Sequence, residues 1–303
     1  MNIYRLRITV GFLTIIFLMF LLTHFFWPLQ KERSLASVKE AIPEIVVTPK
    51  IFPQTNLEAK AAIVYQLKTG HPLFEKNADT RLSLASITKI MTTLLTMKKL
   101  PEENILEIDL PALSEEGDSG LRLGEHWSRN ELVKFMLVNS SNDAARALAL
   151  AVEASSARPF VSLMNESAKT LGLTNTYFLN PTGLDSSSSL AGSFGSARDV
   201  AHLFGYVITR YPEIFEATRL SAYNAISQEG YRHLTINTNP NSITIPGFIA
   251  SKTGFTDLAG GNLVMAFDAG VGNPIVIVVL GSSHAGRFTD ASALIHATLK
   301  YFE

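Results

Sequence analysis

An α/β protein of the α+β type, an antiparallel sheet covered by helices, is what this 303-residue chain predicts. Three observations carry the expectation. Short apolar runs on either side of a turn open the region after residue 58, and stronger ones close it, at Asn262–Ala269 and Pro274–Gly281. Between these ends lie helical periods with their own start and stop signals. No period of 20–50 residues repeats, which excludes a solenoid. The first strands should therefore pair with the last, with helices packed on both faces.

With 47% apolar residues the chain can bury a large core, and one main domain with extra segments is expected. A formal net charge of -1 gives no electrostatic case for a nucleic-acid partner. Cysteine is absent, so disulfides and thiolate metal sites are excluded.

Four segments follow in order: a cytoplasmic N-terminus (1–7), a membrane-spanning segment (8–28), a tether (29–57) and a domain (58–303). Ile8 to Trp27 is twenty residues without a formal charge. At helical rise that length matches a bilayer core of about 30 Å. Arg5 and Arg7 precede it. Phe25-Phe26-Trp27-Pro28 is a poor cleavage site, and Ser34-Leu35-Ala36 is the nearest small-residue candidate, so an uncleaved single-pass anchor is expected. Cleavage there, leaving a secreted domain, is the rival. Lys31 and Arg33 flank the far end and blunt any positive-inside argument. Pro43, Pro49 and Pro53 make 29–57 a semi-extended tether, unless Ile45-Val46-Val47 packs as a stray strand.

Within the domain, residues 61–76 read as strand–turn–strand around Lys68-Thr69-Gly70. A helix follows, with Leu84, Ile87, Ile90, Met91, Leu94 and Leu95 on its buried face. Gly117-Asp118-Ser119-Gly120 matches the serine tetrapeptide of trypsin-like proteases. It lacks a continuing Gly-Pro and matching histidine and aspartate contexts, so it reads as a polar loop. Ser128 with Glu131 forms a capping-box pattern ahead of Leu132, Phe135 and Met136. Ser140-Ser141-Asn142 breaks that helix before another at Ala144–Val152. Pro159–Leu171 is a helix closed by Gly172. Asn180-Pro181-Thr182-Gly183 is a turn, Ser186–Gly195 a flexible loop, and Ser196 caps a helix through Ile208. Leu220–Ile226, Leu234–Ile236 and Ile243–Ile245 are short strand candidates. A helix at Phe288–Tyr301 closes the chain.

The chemistry centres on Ala85-Ser86-Ile87-Thr88-Lys89, the only Ser-x-x-Lys present. A serine and a lysine three apart share one side of a helix. By itself such a tetrapeptide is an N-cap serine and a solvated lysine. Here apolar residues surround it, which argues against a solvated face. A lysine held neutral is a base able to activate a hydroxyl. Ser140-Ser141-Asn142 then supplies Ser-x-Asn, and Lys252-Thr253-Gly254 supplies Lys-Thr-Gly.

That ordered triplet resembles the signature of penicillin-binding proteins and serine β-lactamases. The wider text is similar to one branch, the low-molecular-weight D-alanyl-D-alanine carboxypeptidases and endopeptidases. Leu84–Thr92, Ser140–Ala145, Phe178–Asp185, Ser196–Val200 and Lys252–Asp257 carry the likeness, which covers residues 58 to 302. The resemblance implies a transpeptidase-like fold and a catalytic domain outside the cell membrane. It implies Ser86 as acyl-ester nucleophile and Lys89 as its proton acceptor. Ser140 would relay a proton to the leaving amine, and Asn142 would bind the substrate amide. Lys252 would help keep Lys89 neutral and attract the substrate's anionic end, and Thr253 would bond its carboxylate. Backbone N–H groups of Ser86 and Phe255 would form the oxyanion hole. Ser141, often glycine in the family, is a departure. Arg287 pairs with a substrate carboxylate or is a plain surface arginine.

The implied substrate is a peptidoglycan stem peptide ending in D-Ala-D-Ala, with β-lactams as covalent inhibitors and no metal or cofactor. None of the seven histidines has ligand spacing. A D,D-endopeptidase acting on cross-links is the alternative. A β-lactamase would need a carboxylate base for deacylation, and Glu166 lies in the wrong context for it. A non-catalytic wall-binding module would not need all three motifs.

Overall fold

The computed structural model describes residues 13–24 and 50–303, apart from Ile243 and Val271. It divides into two units, residues 1–49 and 50–303. In the first, residues 13–24 form helix α1, whose apolar side chains are exposed. Among the described residues no helix is long and apolar enough to cross a membrane. The rest of the expected span, and the tether up to residue 49 with Ile45-Val46-Val47, lie outside the described residues.

The second unit begins at Lys50, ahead of the boundary expected at residue 57. The reason is packing: the Phe52 ring sits 5.5 Å from Phe74 and 5.8 Å from Tyr301, and Leu57 is buried. Five antiparallel strands form its main sheet: β1 (Ala61–Gln66), β2 (His71–Lys76), β10 (Phe248–Thr256), β11 (Gly260–Asp268) and β12 (Pro274–Ser282). Their order is β10-β11-β12-β1-β2, so the first strand does pair with the last, Ala61 opposite Leu280. Lys68-Thr69-Gly70 is the hairpin turn, closed by Gly70 N–H to the Gln66 carbonyl at 3.0 Å.

Period-two alternation builds two cores from the same strands. Ile63, Val264, Val276 and Val278 face a helical lobe. Val64, Met265, Ile277 and Val279 face the opposite way, against the closing helix α8 (Gly286–Phe302). The lobe holds α2 (Lys89–Lys99), α3 (Arg129–Asn139), α4 (Asn142–Ser156), α5 (Phe160–Thr170) and α6 (Ala197–Arg210). All of Lys89 to Met97 is buried, so α2 is the lobe's central helix. Two of its buried threonines are satisfied internally, Thr92 donating to the Pro181 carbonyl (2.6 Å) and Thr93 to the Lys89 carbonyl (2.9 Å), whereas the Thr96 hydroxyl has no partner among the described residues.

Four local expectations change. Ser128 caps α3, but Glu131 does not return to it; its carboxylate takes the Tyr223 hydroxyl at 2.8 Å instead. The loop 186–195 ends in a short strand, β7 (Ser193–Gly195), paired with β3 (Leu82–Ser83) just before Ser86. Thr244 and Ile245 are turn residues rather than strand, because Thr244 folds back on the Asn241 carbonyl; Ile243 lies outside the described residues. The Lys-Thr-Gly stretch, for which no strand was expected, is the edge strand β10.

Candidate active site

Ser86 sits in a 3₁₀ turn, Ala85–Thr88, that feeds straight into α2. Two glycines shape this turn. Gly183 has φ +82°, and a Cβ there would lie 1.9 Å from the Ala85 carbonyl oxygen. Gly254 on β10 leaves room for the turn, since a Cβ would come within 3.1 Å of Ser86 N and 3.2 Å of Ile87 N. Ala85 itself has φ +50°, a left-handed conformation uncommon for a side-chain-bearing residue. Ser86 is thus held between the 180–183 turn and the edge of the sheet.

Lys89 follows one turn later and is wholly buried. Its Nζ contacts three oxygens: Ser86 Oγ at 2.9 Å, Asn142 Oδ1 at 2.7 Å and the Thr182 carbonyl at 2.8 Å. Two of these can only accept. A neutral amine has two N–H donors and one lone pair. With the donors on Asn142 and Thr182, the lone pair is left for the Ser86 hydroxyl proton. Burial pushes the Lys89 pKa down from 10.5 to about 7, against the opposing pull of the Glu115 carboxylate.

Ser140 and Asn142 flank the elbow between two helices. Ser140 ends α3 at φ 63°, and Ser141 caps α4 by accepting from Ala144 N–H at 3.0 Å. Lys252 reaches across from β10, donating to Ser140 Oγ at 2.7 Å and to the Thr253 carbonyl at 2.8 Å. Thr253 Oγ1 donates to Thr238 Oγ1 at 2.7 Å. Lys252 is held well below the ordinary lysine range, first by burial, then by the Lys89 and Arg287 charges. Desolvation, rather than the charge of Lys252, is therefore the main cause of the shift at Lys89.

The structure brings Ser86, Lys89, Ser140, Asn142, Lys252 and Thr253 to one place. Phe255 lies next along β10, its ring exposed and set edge-on to His284 at 4.9 Å. Arg287 is not a surface residue. It is buried under β10, donates to the Gly254 carbonyl at 2.8 Å and meets His284 Nε2 at 3.2 Å. Glu166 lies on an exposed face, paired with Arg158, outside the cluster. Two contributors escaped sequence reasoning. The Thr182 carbonyl is a backbone atom and carries no residue signal, although the Asn180–Gly183 turn was visible. Glu115 is half-buried with a raised pKa, 3.8 Å from Arg146, and no spacing rule points to it. A cavity of about 600 Å³, lined by Tyr65, His202 and Tyr206, shares no residue with the cluster.

A helical lobe packs on an antiparallel sheet, and at their junction a serine hydroxyl meets a buried lysine amine, an arrangement able to support lysine-assisted acyl transfer. The chain belongs to the D-alanyl-D-alanine carboxypeptidase family, whose model matches residues 48–284. It is 32% identical over 252 residues to the D-alanyl-D-alanine carboxypeptidase DacF of Bacillus subtilis, covering 81% of this chain and 63% of that protein. The chain thus spans less than two thirds of that relative's length. A D-alanyl-D-alanine endopeptidase of Pseudomonas aeruginosa is also 32% identical, over 80% of this chain and 77% of its own length. Among solved structures, an ampicillin-bound penicillin-binding protein of Listeria monocytogenes superposes with a TM-score of 0.68 at 28% identity. That match covers 81% of this chain and 99% of the other.

Proposed function

We propose that this protein is a serine D-alanyl-D-alanine carboxypeptidase that trims peptidoglycan stem peptides through an acyl-enzyme on Ser86. The carrying observation is the set of three oxygens around Lys89 Nζ, which leaves one amine lone pair for the Ser86 proton. Ser86 Oγ attacks the carbonyl of the D-Ala-D-Ala bond while its proton passes to Lys89. The developing oxyanion is held by the Ser86 and Phe255 N–H groups. Ser140, bonded to Lys252, passes its proton to the departing amine and takes the one held by Lys89, so terminal D-alanine leaves and the lysine is neutral again. Water then hydrolyses the ester with the same lysine as base. Lys252 and Thr253 receive the terminal carboxylate, and Asn142 the substrate amide. β10 is the edge strand of the main sheet, so an extended peptide would add beside it as a further strand.

A D,D-endopeptidase is the second reading, favoured by the relative of that name, which this chain covers over more of its length than it does the carboxypeptidase. Mass spectrometry of purified muropeptides after incubation separates the two. Loss of one alanine from pentapeptide monomers supports the carboxypeptidase; conversion of cross-linked dimers to monomers with pentapeptides intact supports the endopeptidase. We place the domain outside the cell membrane, held by residues 8–27 as a single-pass anchor, on the strength of the uncharged run and the nature of the substrate. β-Lactams would acylate Ser86 as covalent inhibitors, since they present a strained amide to the same serine.

A further inference from the structure

Gly117-Asp118-Ser119-Gly120, the tetrapeptide resembling a protease serine motif, lies against the Ser-x-Asn elbow and is tied to it through two residues, Ser141 and Asp143. Ser119 Oγ donates to Asp143 Oδ2 at 2.7 Å and accepts from Ser141 Oγ at 2.8 Å; Ser119 N–H also reaches Asp143 Oδ2 at 3.4 Å. Ser141 and Asp143 are both buried. So tied, the loop presents the Glu116 carbonyl to Asn142 Nδ2 at 2.7 Å. Gly117, at φ +96°, lets the chain turn there, with space for a Cβ only 3.6 Å from that same Nδ2.

A side-chain amide has two ends that differ by one atom type, and the contacts at each end decide which way it points. The Glu116 carbonyl can only accept, so it selects the NH₂ end of Asn142. The Oδ1 end is thereby turned to Lys89 Nζ. Reversed, the amide would set two acceptors face to face at Glu116 and two donors at Lys89. One lysine N–H would lose its acceptor, and the lone pair would no longer be reserved for Ser86.

We propose that the Glu116–Gly120 loop is an orientation clamp on Asn142, with Ser119, Ser141 and Asp143 as its positioning residues. The proposal rests on the reading of Ser86 as nucleophile and Lys89 as base. It also accounts for serine at position 141: a glycine there would have no hydroxyl to donate to Ser119.

The test is a double-mutant cycle on acylation by a chromogenic cephalosporin, separating the acylation rate constant from the prior dissociation constant. Ser119→Ala should lower the rate constant roughly ten- to a hundredfold, the scale of a misplaced catalytic group, and leave the dissociation constant unchanged. Ser119→Thr should retain most of the rate, and Ser141→Gly should lower it in the same direction. In an Asn142→Ala background, Ser119→Ala should change nothing further, because the loop acts through that amide. An unchanged rate constant in both Ser119→Ala and Ser141→Gly overturns the clamp, as does an undiminished Ser119→Ala effect when Asn142 is already alanine. NMR of the Asn142 side-chain amide gives a readout independent of acylation. The proton bonded to the Glu116 carbonyl should be displaced from its free position and slow to exchange with water in the parent, and should lose both features in Ser119→Ala. An unaltered signal overturns the clamp even if the parent is not acylated; absence of a Ser86 adduct in the parent overturns the nucleophile assignment instead.

Discussion

In the proposed mechanism Lys89 is the base, and its pKa gives the protein a pH signature. Burial lowers that pKa to about 7, so the amine is increasingly neutral above neutrality. Acylation by penicillin should rise through about pH 7 and level off above it. A rate flat from about pH 6 to 9 would contradict this. The sign for stability is the same. Between about 7 and 10.5 the unfolded lysine binds more proton than the folded one, so stability should increase with pH across that window. Gly183 makes the second residue-scale prediction. An alanine there meets the Ala85 carbonyl and a positive φ, for a cost of about 2–3 kcal/mol and a melting temperature lower by about 5–10 °C. Acylation should slow with it, because Ala85 precedes Ser86. An unchanged melting temperature would mean the turn does not press on Ala85. At this scale the motifs made Ser86, Lys89, Ser140, Asn142, Lys252 and Thr253 legible in the sequence. Burial of Arg287 was not legible, since a helix-start arginine looks alike whether it faces water or the back of β10.

Among elements, β1, β2, β11 and β12 were legible because apolar side chains dominate them and turns bound them. β10 was not. Its middle, Ser251-Lys252-Thr253-Gly254, is polar and glycine-broken, and its buried polar groups find partners far along the chain, in Ser140, Thr238 and Asn239. Such a strand is stabilised by tertiary hydrogen bonds that no local pattern encodes. β12 offers a clean separation of fold from site. Ile277 points away from the helical lobe into the core under α8. Ile277→Ala should cost about 2–5 kcal/mol while leaving the acylation rate at low temperature as it was. A large loss of rate in protein that is still folded would show that the two faces of the sheet are not independent.

For the whole molecule, order along the chain and place in space agree: the first strand closes the sheet on the last, and three motifs far apart in sequence meet where the lobe joins the sheet edge. The residues of those motifs all lie within 50–303. A chain starting at Lys50 should therefore be soluble and as active as the full-length protein, whereas the full-length protein should stay with membranes through a high-salt wash. Release by salt, or a mature soluble form beginning between Pro28 and Ser37, would replace the anchor with a cleaved signal. The account as a whole stands on a covalent bond at one serine. Intact-mass analysis after brief exposure to benzylpenicillin, with peptide mapping of the adduct, tests it most directly. One penicilloyl group per chain on the peptide containing Ser86, and none on Ser86→Ala, is the expected result. An adduct elsewhere, or one that survives Ser86→Ala, would contradict it.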